Sequence, residues 1–159
     1  MRCSSPAIAS RLQSTRPAGR VAELIGSLGR FTLADMLDLA IASKERHDRF
    51  VQRVVASREV WGLKSADGWA CTASSADGTE DRSVMPFWSD RAYAKQCAKD
   101  DWSDYEPTPI PLELFVGQWL PGMAADSCLV GTNWNTQLCG HEIEPSELRK
   151  EIERHGHAA

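Results

Sequence analysis

The sequence predicts an α+β fold: a single domain with a mainly antiparallel sheet, built from two hairpins plus an extra strand and packed with about four helices. Two observations carry that prediction. Short apolar runs alternate with turn dipeptides such as Asp67-Gly68 and Asp77-Gly78, giving hairpins rather than repeated βαβ units. Between and after them, apolar residues recur at helical spacing, as in Leu112, Phe115, Val116, Trp119 and Leu120. All six tryptophans fall between positions 61 and 134, each beside Gly, Pro, Asn or another turn or helix signal, and read as architecture rather than chemistry.

The chain has 159 residues, 42% of them hydrophobic and 25% charged, which suits one globular domain with a core of its own. Its net charge of −4 conceals an asymmetry. Residues 1–35 hold Arg2, Arg11, Arg16, Arg20 and Arg30 against Glu23 and Asp35, so the remainder is strongly acidic. An acidic body argues against nucleic-acid binding, which relies on Lys and Arg to neutralise phosphates. No apolar run approaches the roughly 20 residues of a membrane span. Five cysteines, an odd count without a CxxC pair, point to reduced thiols and a cytoplasmic protein.

Residues 1–35 are expected to be disordered. Two origins compete for them: an Arg- and Ser-rich organelle transit peptide, or an over-extended reading frame whose true start is Met36. The second is favoured, leaving 36–159 as the α+β domain. The first helix is expected from about Ser43, as N-cap, to Ser57, with Phe50, Val51, Val54 and Val55 on one face and a preceding turn from Leu33. A hairpin pairs 59–63 with 68–72. Residues 83–88 form the extra strand, at an edge or irregular at Pro86, which cannot donate to a ladder. Ser89 or Asp90 caps a helix over 91–101. The prolines at 107, 109 and 111 predict an extended linker through 105–111. The next helix runs from Leu112 to Leu120 and is stopped by Pro121-Gly122. A second hairpin pairs 127–133 with 137–143, and a last amphipathic helix begins at Pro145 and ends before Gly156.

These pieces, in this order, resemble the bacterial domain-of-unknown-function 2750 family. The matching residues are Trp61-Gly-Leu with Gly68-Trp-Ala, Met85-Pro-Phe-Trp-Ser, and Leu112-Glu-Leu-Phe with Trp119-Leu-Pro-Gly-Met. Val130-Gly-Thr-Asn-Trp and Gly140-His-Glu-Ile-Glu-Pro continue the likeness, which spans about residues 43–152. The resemblance implies a small cytosolic protein and supplies no activity, cofactor or catalytic residue.

Chemistry-bearing constellations are sparse. Cys139 and His141 share a strand face and, with Cys128, could offer three zinc ligands, but no CxxC or HxxxH spacing supports a metal. No cofactor is expected, since the glycines lack phosphate-loop spacing. Ser89, Asp90 and His47 are too scattered for a triad. The leading reading is a non-catalytic protein-interaction module, monomer or homodimer, with an acidic surface of Asp101 and Asp104 around part-exposed Trp88, Trp102, Tyr105 and Trp134. Its expected partner is a basic protein, and an immunity- or inhibitor-like role is one version. The alternative is a small-molecule-binding or hydrolytic enzyme using His141 with Glu142 or Glu144.

Overall fold

The computed structural model describes residues 33–76, 78, 79 and 81–158. Helix α1 (Leu33–Ser57) leads into β1 (Glu59–Ser65), β2 (Gly68–Trp69), β3 (Thr72–Ala73) and β4 (Ser83–Phe87). Helix α2 (Arg91–Cys97) and a 3-10 turn (Asp100–Trp102) precede β5 (Glu106–Pro111). A continuous helical run follows, made of α3 (Leu112–Leu114), a π-helical turn (Phe115–Trp119) and α4 (Leu120–Ala125). Strands β6 (Leu129–Thr132) and β7 (His141–Ile143) and helix α5 (Pro145–Ala158) close the chain. The expected α+β class is what forms, with the strands divided between two sheets. One has the order β2-β1-β5 and the other β3-β4-β6-β7. All pairings are antiparallel except β4 with β6.

Helix α1 is longer than its caps suggested. Ser43 lies inside it, and the expected disorder of 1–35 falls outside the described residues except for 33–35, which are helical. His47, Phe50, Val51 and Val54, at i, i+3, i+4 and i+7, are all buried and form the stripe that faces the sheets. Arg58 ends the helix in the left-handed region (φ 64°), its N–H donating to the Val54 carbonyl at 2.9 Å, a place more often taken by glycine.

Residues 106–111 form a strand and not a linker. β5 pairs with β1 in the register Val60 with Ile110, Gly62 with Thr108 and Lys64 with Glu106. The Leu112 N–H donates to the Arg58 carbonyl, so the even-numbered residues of β5 face β1. Pro107, Pro109 and Pro111 therefore turn their nitrogens outward, where no donor is needed. A proline at every second position leaves an edge with carbonyls but no N–H groups, which blocks a further strand from adding.

Of the two expectations for Pro86, the edge position does not hold, since β4 runs between β3 and β6, and the irregular strand does. Phe87 turns its carbonyl to the Asn133 N–H at 2.9 Å, so Pro86 faces the opposite side. There β3 pairs only with Ser83 and Val84, and the next partner is the Trp61–Trp88 bridge, whose two 2.8 Å bonds stitch the sheets together. The proline occupies the gap between them.

Three helix ends also differ. The 91–101 helix stops at Cys97, and the chain re-forms a 3-10 turn after Lys99, with Asp100 at φ 53°. Pro121 does not stop its helix: it lies in the first turn of α4, directly after the π-helical turn, where a missing N–H is tolerated. Gly156 sits within α5 and not beyond it. The second hairpin forms as β6 and β7 with a longer connection.

Two core clusters result. The first packs the α1 stripe against Phe87, Phe115, Leu120, Met123 and Leu148. The second gathers Trp88, Trp102, Tyr105 and Trp134. No helix among the described residues is long and apolar enough to cross a membrane. Thr108→Pro is expected to lose a ladder donor and cost about 3 kcal/mol or more. Pro109→Thr should keep the ladder, shift stability by about 1 kcal/mol at most, and make the edge adhesive. Denaturant titration and light scattering of the two variants would measure both effects.

Candidate functional site

Strand β7 divides the polar residues of the last hairpin between two faces, because successive side chains on a strand point in opposite directions. His141 lies beside His47 of α1, their ring centroids 4.5 Å apart. His47 bridges three elements. Its Nδ1 lies 2.9 Å from Thr132 Oγ1 on β6 and its Nε2 lies 2.6 Å from Glu151 Oε2 on α5. A carboxylate only accepts, so Nε2 carries a proton for Glu151, and in the neutral ring Nδ1 accepts from the Thr132 hydroxyl. Thr132 is fully buried and His47 is 3% exposed. The hydroxyl and imidazole are thus buried and satisfied, the Glu151 carboxylate reaches partly into solvent at the outer end, and the row acts as a clasp between three elements.

Glu142 points the other way. It accepts hydrogen bonds from the hydroxyl of buried Ser74 and from the Ser75 N–H and hydroxyl, the latter two at 3.1 Å, tying down the loop after β3. Glu144 pairs with Arg82, whose Nη2 lies 3.1 Å from Glu144 Oε2 while its Nε donates to the Ser127 carbonyl at 2.9 Å. The Arg82 hydrogen bond holds the Glu144 carboxyl below the usual range. His141, Glu142 and Glu144 are adjacent in sequence and do not converge on one cleft.

Burial pushes the His141 imidazole below its ordinary value, with repulsion from His47 adding to the effect. Burial also raises the thiols, Cys97 to about 11 and Cys139 in the same direction. Cys128 goes up through its hydrogen bond with Cys71 and its burial. All four described cysteines are free thiols, and Cys128, Cys139 and His141 do not assemble. Among the described residues, no group of three His, Cys, Asp or Glu side chains could hold a metal ion.

The aromatic residues expected to be part-exposed are interior. Trp88, Trp102, Tyr105 and Trp134 are between 0% and 5% exposed. Trp88 Nε1 donates to the Trp134 carbonyl at 3.0 Å, and Trp134 Nε1 donates to the His141 carbonyl at 3.1 Å. Trp134 reaches this seat because two glycines make room for its ring: a Cβ on Gly131 would lie 2.6 Å from it and one on Gly140 2.4 Å. Polar loop neighbours had suggested exposure, yet the indole's one donor is satisfied by backbone, so the ring can be buried whole. Asp101 and Asp104 are exposed on the turn that carries Trp102.

Sequence reasoning missed Thr132, Glu151 and Asn133, and underused His47. The signal for His47 was its register with Phe50, Val51 and Val54 on the buried stripe. Asn133 left no such sign. It adopts φ 46°, accepts from the Ser89 N–H at 2.9 Å, and donates to the Arg46 carbonyl at 3.2 Å.

Two tests follow from the clasp. His47→Ala should cost about 2–4 kcal/mol, because the buried Thr132 hydroxyl loses its partner and a cavity replaces the ring, whereas Lys44→Ala on the exposed face should stay within about 0.5 kcal/mol. His141, with a folded pKa below its ordinary 6.5, binds fewer protons folded than unfolded. Its contribution should be complete above pH 6.5 and fall as the pH drops below that value, and His141→Asn should flatten this part of a stability–pH profile measured by urea unfolding.

Comparison with curated proteins gives no match, and comparison with solved structures gives none. A family model described as protein of unknown function (DUF2750) matches residues 47–152, from the His47 clasp to Ile152 of the last helix, and the chain belongs to that family.

Proposed function

We propose that this domain is a non-catalytic protein-interaction module that presents an acidic ridge to a basic protein partner. The carrying observation is the build of the 100–104 turn. Trp102 is 2% exposed and Tyr105 3% exposed, so the turn is anchored from below while Asp100, Asp101 and Asp104 point outward. Acids on an anchored turn give up little conformational freedom on binding, and an acidic ridge steers a basic partner by long-range attraction. The aromatics act here as foundations, and the contact surface is charged. An inhibitor-like role against a basic effector, and cytoplasmic residence, are the versions of this reading that its acidity and size favour.

The exchange of roles has support in the other candidate residues. Glu142, Glu144 and Glu151 each hold a structural partner, Ser74, Arg82 and His47 in turn, so their carboxylates serve the fold. Affinity capture by the full chain, washed at low and high salt, tests the proposal. One dominant basic protein should be retained at low salt and lost at high salt. Asp101→Lys with Asp104→Lys should lose that protein while the tryptophan fluorescence and unfolding midpoint stay unchanged. Retention by the double variant would overturn the ridge as the contact surface.

A further inference from the structure

Two of the thiols meet inside the protein, and their placement follows from the sheet. Val84 of β4 pairs with Thr72 of β3 on one side and with Leu129 of β6 on the other. Successive residues of a strand point to opposite faces, and the residues just before Thr72 and Leu129 are Cys71 and Cys128. Val84 and Leu129 accordingly lie in the second core cluster, while Cys71 and Cys128 lie in the first, together with Met85. The Cys71 and Cys128 side chains are hydrogen-bonded to each other, and the Met85 backbone lies against Cys128. The thiols thus come together over β4, from the feet of the two strands that flank it.

The other described cysteines are placed differently. Cys97 Sγ donates to the Asn135 carbonyl at 3.4 Å and Cys139 Sγ to the Gln137 carbonyl at 3.6 Å, each on another element. Both members of the pair are covered, Cys71 at 1% and Cys128 at 0% exposure, and an apolar cover keeps a thiol protonated and unreactive. The cover over Cys71 is held by short elements. β3 is a two-residue strand at the edge of its sheet, and β2 before it is also two residues long. Short edge segments open locally at far lower cost than the whole domain. On the other side, Cys128 directly follows Ser127, which is exposed and holds φ 55° after the end of α4.

We infer that Cys71 and Cys128 form an oxidative modification site, closing to a disulfide when a peroxide meets the opened edge of the sheet. Once β3 lifts, Cys71 loses its thiol proton to water and its sulfur attacks one oxygen of hydrogen peroxide. The O–O bond breaks, the first water leaves and Cys71 becomes a sulfenic acid. The Cys128 sulfur then attacks the Cys71 sulfur, its proton goes to the departing hydroxide, and the second water leaves. In sum, two thiols give up two protons and two electrons, and the peroxide takes them up as two waters. Cys128 is the resolving thiol because it already stands within hydrogen-bond reach. The new bond ties β3 to β6 and closes a loop that holds β4, α2, β5 and the helical run after it. Such a cross-link restricts the unfolded chain and holds the edge strand shut. The site is independent of the interaction-module reading.

The test treats the reduced full chain with hydrogen peroxide in native buffer and, separately, in denaturing urea. Remaining thiols are alkylated, and the peptides are mapped by mass spectrometry without reduction. Native oxidation should remove two thiols per chain, link the Cys71 and Cys128 peptides within one chain, and reverse with dithiothreitol. In urea, where the sheet no longer selects partners, the five cysteines should give mixed pairs. Amide exchange at Val84, Met85 and Phe87 should slow about tenfold or more in the oxidised native chain. Cys128→Ala should leave Cys71 as a sulfenic acid that dimedone traps, with no intramolecular link. Should that variant fail to fold, Cys97→Ala and Cys139→Ala give a second reading, since each should keep the Cys71–Cys128 link in full.

Peroxide consumption confined to Cys3 or Cys139 would overturn the inference. So would oxidation of Cys71 or Cys128 to sulfinic acid without a link, or the same mixed pairs in native buffer as in urea.

Discussion

The hydrogen-bonded bridge made by His47 holds the architecture together. One buried imidazole joins α1 to β6 through Thr132 and to α5 through Glu151, elements 85 and 104 positions away in the chain. Its energy is asymmetric. The intact bridge replaces bonds to water and contributes modestly, whereas breaking one arm strands a buried polar group at full desolvation cost. The neighbouring Arg46 extends the clamp, donating to the Asn133 carbonyl at 3.1 Å and the Cys139 carbonyl at 3.4 Å. One turn of α1 thus sets where the second hairpin lies and where α5 can pack.

From that hairpin the restraint passes to the tryptophans. Asn133 in a left-handed conformation turns the chain so that Trp134 folds back over Gly131 and Gly140. Trp134 then offers its carbonyl to Trp88, and the Trp88 backbone bonds to Trp61 to join the two sheets. Rigid aromatic packing of this kind holds the surface turns above it in place. Trp102 Nε1 is the exception, a buried donor without a partner among the described residues. The polar residues that first suggest chemistry are mostly spent on holding the fold: Glu142 on Ser74 and Ser75, Glu144 on Arg82 and Glu151 on His47.

Much of the fold was legible in local pattern. The α1 stripe, the hairpin at Asp67-Gly68, the second hairpin and the start of α5 at Pro145 all follow from periodicity and turn chemistry. Proline was the recurring source of error. Its missing donor suggests a break at 105–111, an edge or an irregular strand at 86, and a stop at 121. In each place the structure turns the missing N–H to where none is needed: outward from β5, into the gap beside β4, and into the first turn of α4. Which way a strand residue faces depends on the register of its neighbour, and that is a long-range property.

The site was less legible for the same reason. His141 and Glu142 are adjacent in sequence, but strand alternation turns them to opposite faces. His47, Thr132 and Glu151 are far apart in sequence, and helix packing joins them. Composition and local periodicity settle the class of this protein, because segregated hairpins and amphipathic helices have few ways to bury their apolar faces. They do not settle which tryptophan is sealed, which acid is spent on a partner or which two thiols meet. Those outcomes depend on side chains brought together across the chain, where a missing Cβ or one shared hydrogen bond decides whether a surface closes.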